Sequence, residues 1–400
     1  METIVPASAR AMNGVPARWI VAAMIGVAFM GSGLITPLYA IYQRAFNFPE
    51  VTLTFVYAVY ALGNLAALLF FGKVSDCIGR RIVGIASVAL GCASMLLFFF
   101  AAGTAWLFFG RILSGIAVGL ASGTGTAWLA DLDEDRSRAT LIATLANALG
   151  FALGPLLGGL LAQYGLAPLR TPFLLYLPVL VVIGLLVAFT HETVNSRGKA
   201  NLELLRPRVG VPKPILGQFI APAVTCFATF ALVGFYAGLI PTVLKEYLHL
   251  SAPAASGAVV FELALAAAVA TYLGRDVESR AAMLSALVLL LPCVGLLLAA
   301  QSTHSLATLL VATALGGFCW GLGIRGSLHI ANEIAPSDRR GEVASTYFIA
   351  GFVGNSIPVI VVGLITVVSN SWIASLTFGC SIALFAVAAV LVGARYPSTP

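Results

Sequence analysis

Charge is what this chain has least of. Asp, Glu, Lys and Arg make up only 10% of its 400 residues, against roughly 25% in a soluble domain. That scarcity excludes a cytosolic enzyme, a disordered chain and a nucleic-acid binder. Histidine is also sparse. His191, His249, His304 and His329 fall in separate segments, so no metal-ligand spacing and no nucleophile–base cluster is present. The six cysteines are scattered singly and read as small buried hydrophobes. No Gly-x-x-x-x-Gly-Lys-Ser/Thr loop exists to hold ATP. No cofactor is expected.

Apolar residues fill the remainder. They reach 60% of the chain, with a mean hydropathy of +0.99. A helix needs about 20 apolar residues to cross a bilayer. Runs of that length are predicted over 20–42, 53–71, 83–102, 106–130, 140–164 and 172–189. Six more follow over 215–239, 254–273, 281–300, 306–331, 343–368 and 372–392. A closed barrel is excluded, because it would show short alternating strands. The first run is too long for a signal-peptide core and has no small-residue cleavage site after it.

An even number of spans puts both termini on one side. Of the 22 Lys and Arg, seventeen then fall at the termini or in loops on that side. Arg44, Arg170 and Lys245 fall on the other, while Arg111 and Arg325 lie inside spans. The positive-inside rule assigns the richer side to the cytoplasm. The net charge of +6 therefore reports orientation and not a polyanionic partner. Trp19, Trp106 and Trp372 fall near span ends, as interfacial anchors do.

The longest polar stretch divides the chain into residues 1–190, a cytoplasmic loop 191–213, and residues 214–400. Arg138 precedes Gly150-Phe151 by twelve residues, and Arg339 precedes Gly351-Phe352 by twelve. The shared offset of 201 suggests a duplicated six-span unit. The expected fold is all-α, with twelve transmembrane helices in two pseudo-symmetric six-helix bundles. Duplicated bundles place substrate near mid-membrane between the repeats.

Three motifs carry a family resemblance. The second loop on the basic side reads Gly72-Lys73-Val74-Ser75-Asp76-Cys77-Ile78-Gly79-Arg80-Arg81. The fourth span reads Arg111-Ile112-Leu113-Ser114-Gly115, and the fifth contains Gly150-Phe151-Ala152-Leu153-Gly154-Pro155-Leu156-Leu157-Gly158-Gly159. Together with twelve spans in two halves, these resemble the major facilitator superfamily, in its drug/proton antiporter-like subgroup. The resemblance implies a secondary transporter working by alternating access, not an enzyme. It implies a gating latch between the halves from Gly72, Asp76, Gly79, Arg80 and Arg81, favouring the outward-open state. It implies a part in proton transfer for Arg111, against a simple reading in which Arg111 snorkels to the interface. It implies a hinge from Gly150, Gly154, Pro155, Gly158 and Gly159. The sixth span ends Phe189-Thr190-His191-Glu192-Thr193, similar to the family's Pro-Glu-Thr ending with His in place of Pro. It also implies a monomer in the cell membrane of a bacterium.

Proton coupling needs a titratable group in the pathway. Glu262 is the carboxylate well inside a predicted span. It is expected to face the cavity, with Arg325 or His329 of the tenth span modulating it. A static buried ion pair is the alternative. Many antiporters of the resembling subgroup have an aspartate in the first span, whereas 31–39 here holds none. Tyr39, Asn64, Asn147, Gln218, Tyr236 and Asn355 are candidates to line the cavity. Phe227, Phe230 and Phe235 are candidates for an aromatic wall. The expected partners are the lipid bilayer, protons and a small amphipathic substrate. A carrier for a sugar, nucleoside or amino-acid derivative, in either direction, is the competing reading. A membrane sensor that reuses the fold is a third.

Overall fold

The computed structural model describes residues 14–71, 74–194 and 209–395. Twelve helices are long and apolar enough to cross a membrane. They are α1 (Val15–Phe46), α2 (Glu50–Phe71), α3 (Arg80–Phe99), α4 (Thr104–Leu132), α5 (Arg136–Tyr164) and α6 (Thr171–Ala188), then α7 (Leu216–Tyr247), α8 (Pro253–Leu273), α9 (Ser279–Ser302), α10 (Leu306–Glu333), α11 (Arg340–Val368) and α12 (Ser371–Gly393). All twelve expected spans are present. The seventh runs eight residues past its expected end at 239. α1 is interrupted by a 3-10 turn at Thr36–Leu38, where Pro37 has no backbone N–H to give.

The surface is inverted relative to a soluble protein. Leu174, Val182, Leu185, Leu364, Leu384 and Leu391 are all exposed on outer helix faces. Polar backbone is satisfied inside each helix, so this apolar belt faces lipid without cost. Trp19, Trp106 and Trp372 are exposed near helix ends. Cys226 and Cys293 lie in the core as expected, whereas Cys380 is exposed on α12.

Helices α1–α6 pack as one group and α7–α12 as another. The duplication extends to packing. α5 sits on α1, where a Cβ at Gly150 would strike the Gly26 carbonyl. α11 sits on α7 in the same manner, where a Cβ at Gly354 would strike the Phe227 carbonyl. Small residues let helices approach where lipid gives no hydrophobic drive to do so.

Two seams join the halves, α5 against α8 and α2 against α11. Both close toward the face opposite the termini. Gln163 accepts the Ala254 N–H at 3.2 Å, and Gly363 abuts Thr54. Deeper, the Phe151 and Trp320 rings meet edge-on at 5.3 Å. On the terminal side of that contact, Thr140, Leu141, Thr144 and Leu145 of α5 are exposed. The halves are thus closed at the far face and parted at the terminal face.

Candidate functional site

The basic-side motif folds into a hub within the first half. Gly72 lies outside the described residues. Gly79 has φ +112, a conformation that favours glycine, and a Cβ there would meet the Glu192 carboxylate. Glu192 accepts the backbone N–H groups of Arg80 at 2.9 Å and Arg81 at 3.1 Å, an anion on the first turn of α3. Arg80 pairs with Asp76 at 2.5 Å and with Asp131 at 3.1 Å, and it donates to Ser75. Thr193 also donates to Asp131. Every one of these partners belongs to the first half or to the start of the central loop, so the expected latch makes no described ion pair to the second half. That fits the parted terminal face.

A second hub lies beside it. Asp133 is fully buried between α4 and α5 and takes Arg18 at 2.5 Å and Arg138 at 2.6 Å. Hydrogen bonding from Arg138, then from Arg18, holds its carboxyl well below the usual carboxylate range. Sequence reading named Glu192 only as part of the sixth-span ending, and missed Asp131 and Asp133. Their acidic side chains on a basic face were the available signal.

The α5 motif divides between two surfaces. Gly150, Gly154 and Gly158, one turn apart, lie against Gly26, Met30 and Leu34 of α1. The Pro155 carbonyl lies against Gly257, and Gly159 against Pro253, both on α8 of the other half. The stripe therefore binds α5 to its own bundle, as does the Pro155 ring against Gly33, while the Pro155 carbonyl and Gly159 meet the opposite one.

Arg111 departs from the snorkelling alternative. It is 2% exposed, and its guanidinium turns inward. Nη1 donates to the Ser32 carbonyl at 2.8 Å. Three rings surround the cation, with centroids at 4.5 Å for Tyr60, 5.7 Å for Tyr57 and 5.8 Å for Tyr39. No carboxylate of a described residue forms an ion pair with it, and its Nε is buried without a partner. The Tyr39 hydroxyl is also buried and unpartnered. Glycines make this possible. A Cβ at Gly115 would strike the Tyr60 carbonyl, so α4 and α2 approach closely beside the cage. The stretch that supplies Ser32 and Tyr39 is the one whose lack of an aspartate the sequence made conspicuous.

Tyr57 continues the cluster across the seam by donating to Asn355 Oδ1 at 2.9 Å. Asn64 donates to the Tyr60 hydroxyl at 3.4 Å and keeps an unpartnered Oδ1. Of the candidate cavity residues, Tyr39, Asn64 and Asn355 thus gather around Arg111. Tyr57 and Tyr60 were missed. Their signal was the stripe Tyr57, Tyr60, Asn64 at helical spacing. Tyr236 lies apart, buried in the second half and accepting from Thr313 at 3.1 Å. Asn147 is half-buried on α5, and Gln218 is exposed at the terminal end of α7. Phe227 and Phe230 meet Phe385 and Phe352 of the same half edge-on, and Phe235 stacks on Phe378.

Glu262 lies beside the packed stripe of α8, which is Val259, Val260, Leu263, Ala264 and Ala267. It is half-buried, its Oε2 is buried without a partner, and its charge reaches the buried Tyr236 of α7 in the same half. Arg325 and His329 do not join it. Arg325 donates to the Val277 carbonyl at 2.9 Å and to that of Arg275, clamping the turn between α8 and α9. His329 is exposed and lies 3.7 Å from Glu333. Helical periodicity placed Arg325 and His329 one turn apart, and the structure ties the first to the α8–α9 turn and leaves the second exposed.

Residues 21–358 match the sequence model of the Major Facilitator Superfamily. The chain is 25% identical over 341 residues to the multidrug resistance protein MdtL of Klebsiella pneumoniae, covering 83% of this chain and 84% of that one. It is 30% identical over 151 residues to multidrug resistance protein 2 of Bacillus subtilis, 37% of either chain. Among solved structures, a bacterial homolog of the human lysosomal transporter Spinster superposes with a TM-score of 0.76 at 15% identity, covering 96% of this chain and 98% of that one. The human organic anion transporter MFSD10 superposes with a TM-score of 0.68 at 18% identity, covering 94% and 99%.

Proposed function

The chain belongs to the Major Facilitator Superfamily, whose members are transporters and not enzymes, and we propose that it exports small amphipathic compounds across a bacterial inner membrane in exchange for protons. Both termini face the cytoplasm in this reading, and the chain works as a monomer. The observation that carries it is the asymmetry of the seam. α2–α11 and α5–α8 close on the far face, while exposed Thr140 and Thr144 mark an opening on the basic, terminal face. A compound would enter from the cytoplasmic side, and rocking of the halves would release it on the other. The names of the multidrug resistance relatives support export over uptake.

Glu262 lies within the second half and meets no described cation, so coupling is assigned to a carboxylate that faces both halves. Glu50, at the start of α2, lies beside Thr242, Lys245 and Glu246 of α7 in the opposite half. Its protonation would change the charge at the far-face closure. Expression in a drug-sensitive host, with and without an uncoupler, tests the proposal. Resistance to amphipathic toxins that the uncoupler abolishes is expected. Heightened sensitivity would indicate uptake, and uncoupler-insensitive resistance would remove proton exchange. A carboxy-terminal reporter active only outside the cytoplasm would reverse the orientation.

A further inference from the structure

Arg111 presents an unbalanced account of charge. Removing a guanidinium from water costs several kcal/mol even after relaxation, and buried cations are ordinarily paired. Here the balance consists of one carbonyl hydrogen bond and three ring faces. Rings attract a desolvated cation, and do so best when it lies close over the ring face. Only Tyr60 lies as close as 4.5 Å. The charge itself meets no anion among the described residues. Two donors of this cluster, Arg111 Nε and the Tyr39 hydroxyl, are both buried and both without an acceptor, the Arg111 Cζ standing 5.8 Å from the Tyr39 ring centroid. An acceptor bearing negative charge would complete both.

The cage also has a shape. Tyr39 and Tyr57 are buried, whereas Tyr60 is half-buried and forms the part-open wall. Tyr57 reaches Asn355 of the other half, so the cage sits where the bundles meet. The aromatic walls suit an apolar body, and the two free donors suit a single anionic head. A polyanion would find one cation and no second.

We propose that Arg111 and Tyr39 form the head-group end of the substrate site, and that the compounds this chain carries include amphipathic monocarboxylates. The carboxylate would accept from Arg111 Nε and from Tyr39, with Tyr60 swinging aside to admit it. This deepens the exporter reading by naming a substrate class, and rests on that reading only for direction of transport.

The test uses the purified full-length protein and two probes of one shape, 1-naphthylacetate and the uncharged 1-naphthylacetamide. Binding is measured by isothermal titration, and the readout is the ratio of the two affinities. The acid is expected to bind more tightly. Tyr39→Phe should cut the acid-to-amide ratio about tenfold, the worth of a hydrogen bond to a charged group. Arg111→Gln should abolish the preference. If that variant fails to fold, Tyr39→Phe, which deletes one hydroxyl, still decides. Equal binding of the two probes overturns the proposal, as does an acid preference untouched by Tyr39→Phe, or no acid binding at all. Competitive saturation by chloride at low concentration also overturns it, because the occupant would then be an inorganic ion. Cellular resistance to uncharged toxins alongside equal probe binding would sink the carboxylate site and leave export standing. Acid preference without any cellular export would do the reverse.

Discussion

Tyr57 of α2 donates a hydrogen bond to Asn355 of α11 at 2.9 Å, joining the two halves beneath the closed far face. One turn nearer that face, a Cβ at Gly363 would stand 3.2 Å from the Thr54 Cβ. Disulfides form across Cβ separations of about 3.5–4.5 Å, so a small relaxation allows one here. The pair Thr54→Cys and Gly363→Cys should therefore cross-link on mild oxidation and arrest transport. Reductant should restore it. Transport that persists with the cross-link fully formed would show that the far-face seam need not open.

The glycines of α5 should separate into two phenotypes. Gly150→Ala places a methyl group against the Gly26 carbonyl within one bundle, and overpacking of this kind costs about 1–3 kcal/mol. It should lower the melting temperature. Gly159→Ala places its methyl against the Pro253 carbonyl of the other bundle, so strain is relieved by parting the halves. Its signature should be easier opening of the far face, read as faster thiol labelling of a cysteine placed at Ser256. Gly295→Ala on α9 meets nothing within 4 Å and serves as the neutral control. Equal loss of melting temperature in all three would deny the division.

Legibility from sequence followed the kind of information each feature needs. Span number and order were readable because lipid demands about 20 apolar residues per crossing and loops carry the cations. Arg111 stood out because an arginine inside a span costs about 2.5–3.5 kcal/mol on insertion scales. Its cage was not readable, since Tyr39, Tyr57 and Tyr60 come from two helices whose rotation is set by packing on α4. The surroundings of Glu262 were hidden for the same reason. A carboxylate in mid-helix announces a cost, but its nearness to Tyr236 depends on how α8 packs against α7 and α10. The Arg18–Asp133–Arg138 hub joins residues 115 apart, beyond any local pattern.

That hub sets a pH dependence with a definite sign. The folded-state carboxyl of Asp133 is lowered, chiefly by Arg138 and then by Arg18. A lowered group contributes stability above its unfolded pKa of about 3.9 and loses it as pH falls through the folded value. Asp133→Asn should therefore reduce the melting temperature by a constant amount between about pH 8 and pH 5. The gap should narrow only in stronger acid, where the wild type loses the same contribution. A gap that opened between neutral pH and mild acid would place the controlling group elsewhere.

The two carboxylates Glu50 and Glu262 should respond oppositely to neutralisation. Glu262 is half-buried, and no described cation pairs with it. Glu262→Gln removes a charge that lies within the second half, beside Tyr236, so with coupling at Glu50 proton-driven export should continue near the wild-type rate. Glu50 lies beside Lys245 and Glu246 across the far-face closure, where its charge is felt by both halves. Glu50→Gln should uncouple export from the proton gradient while leaving substrate counterflow, which needs rocking but no net proton movement. Assaying both variants in proteoliposomes, with and without an imposed pH gradient, separates the outcomes. Loss of gradient-driven export in Glu262→Gln with Glu50→Gln unaffected would return coupling to α8, where the buried Oε2 of Glu262 has no partner.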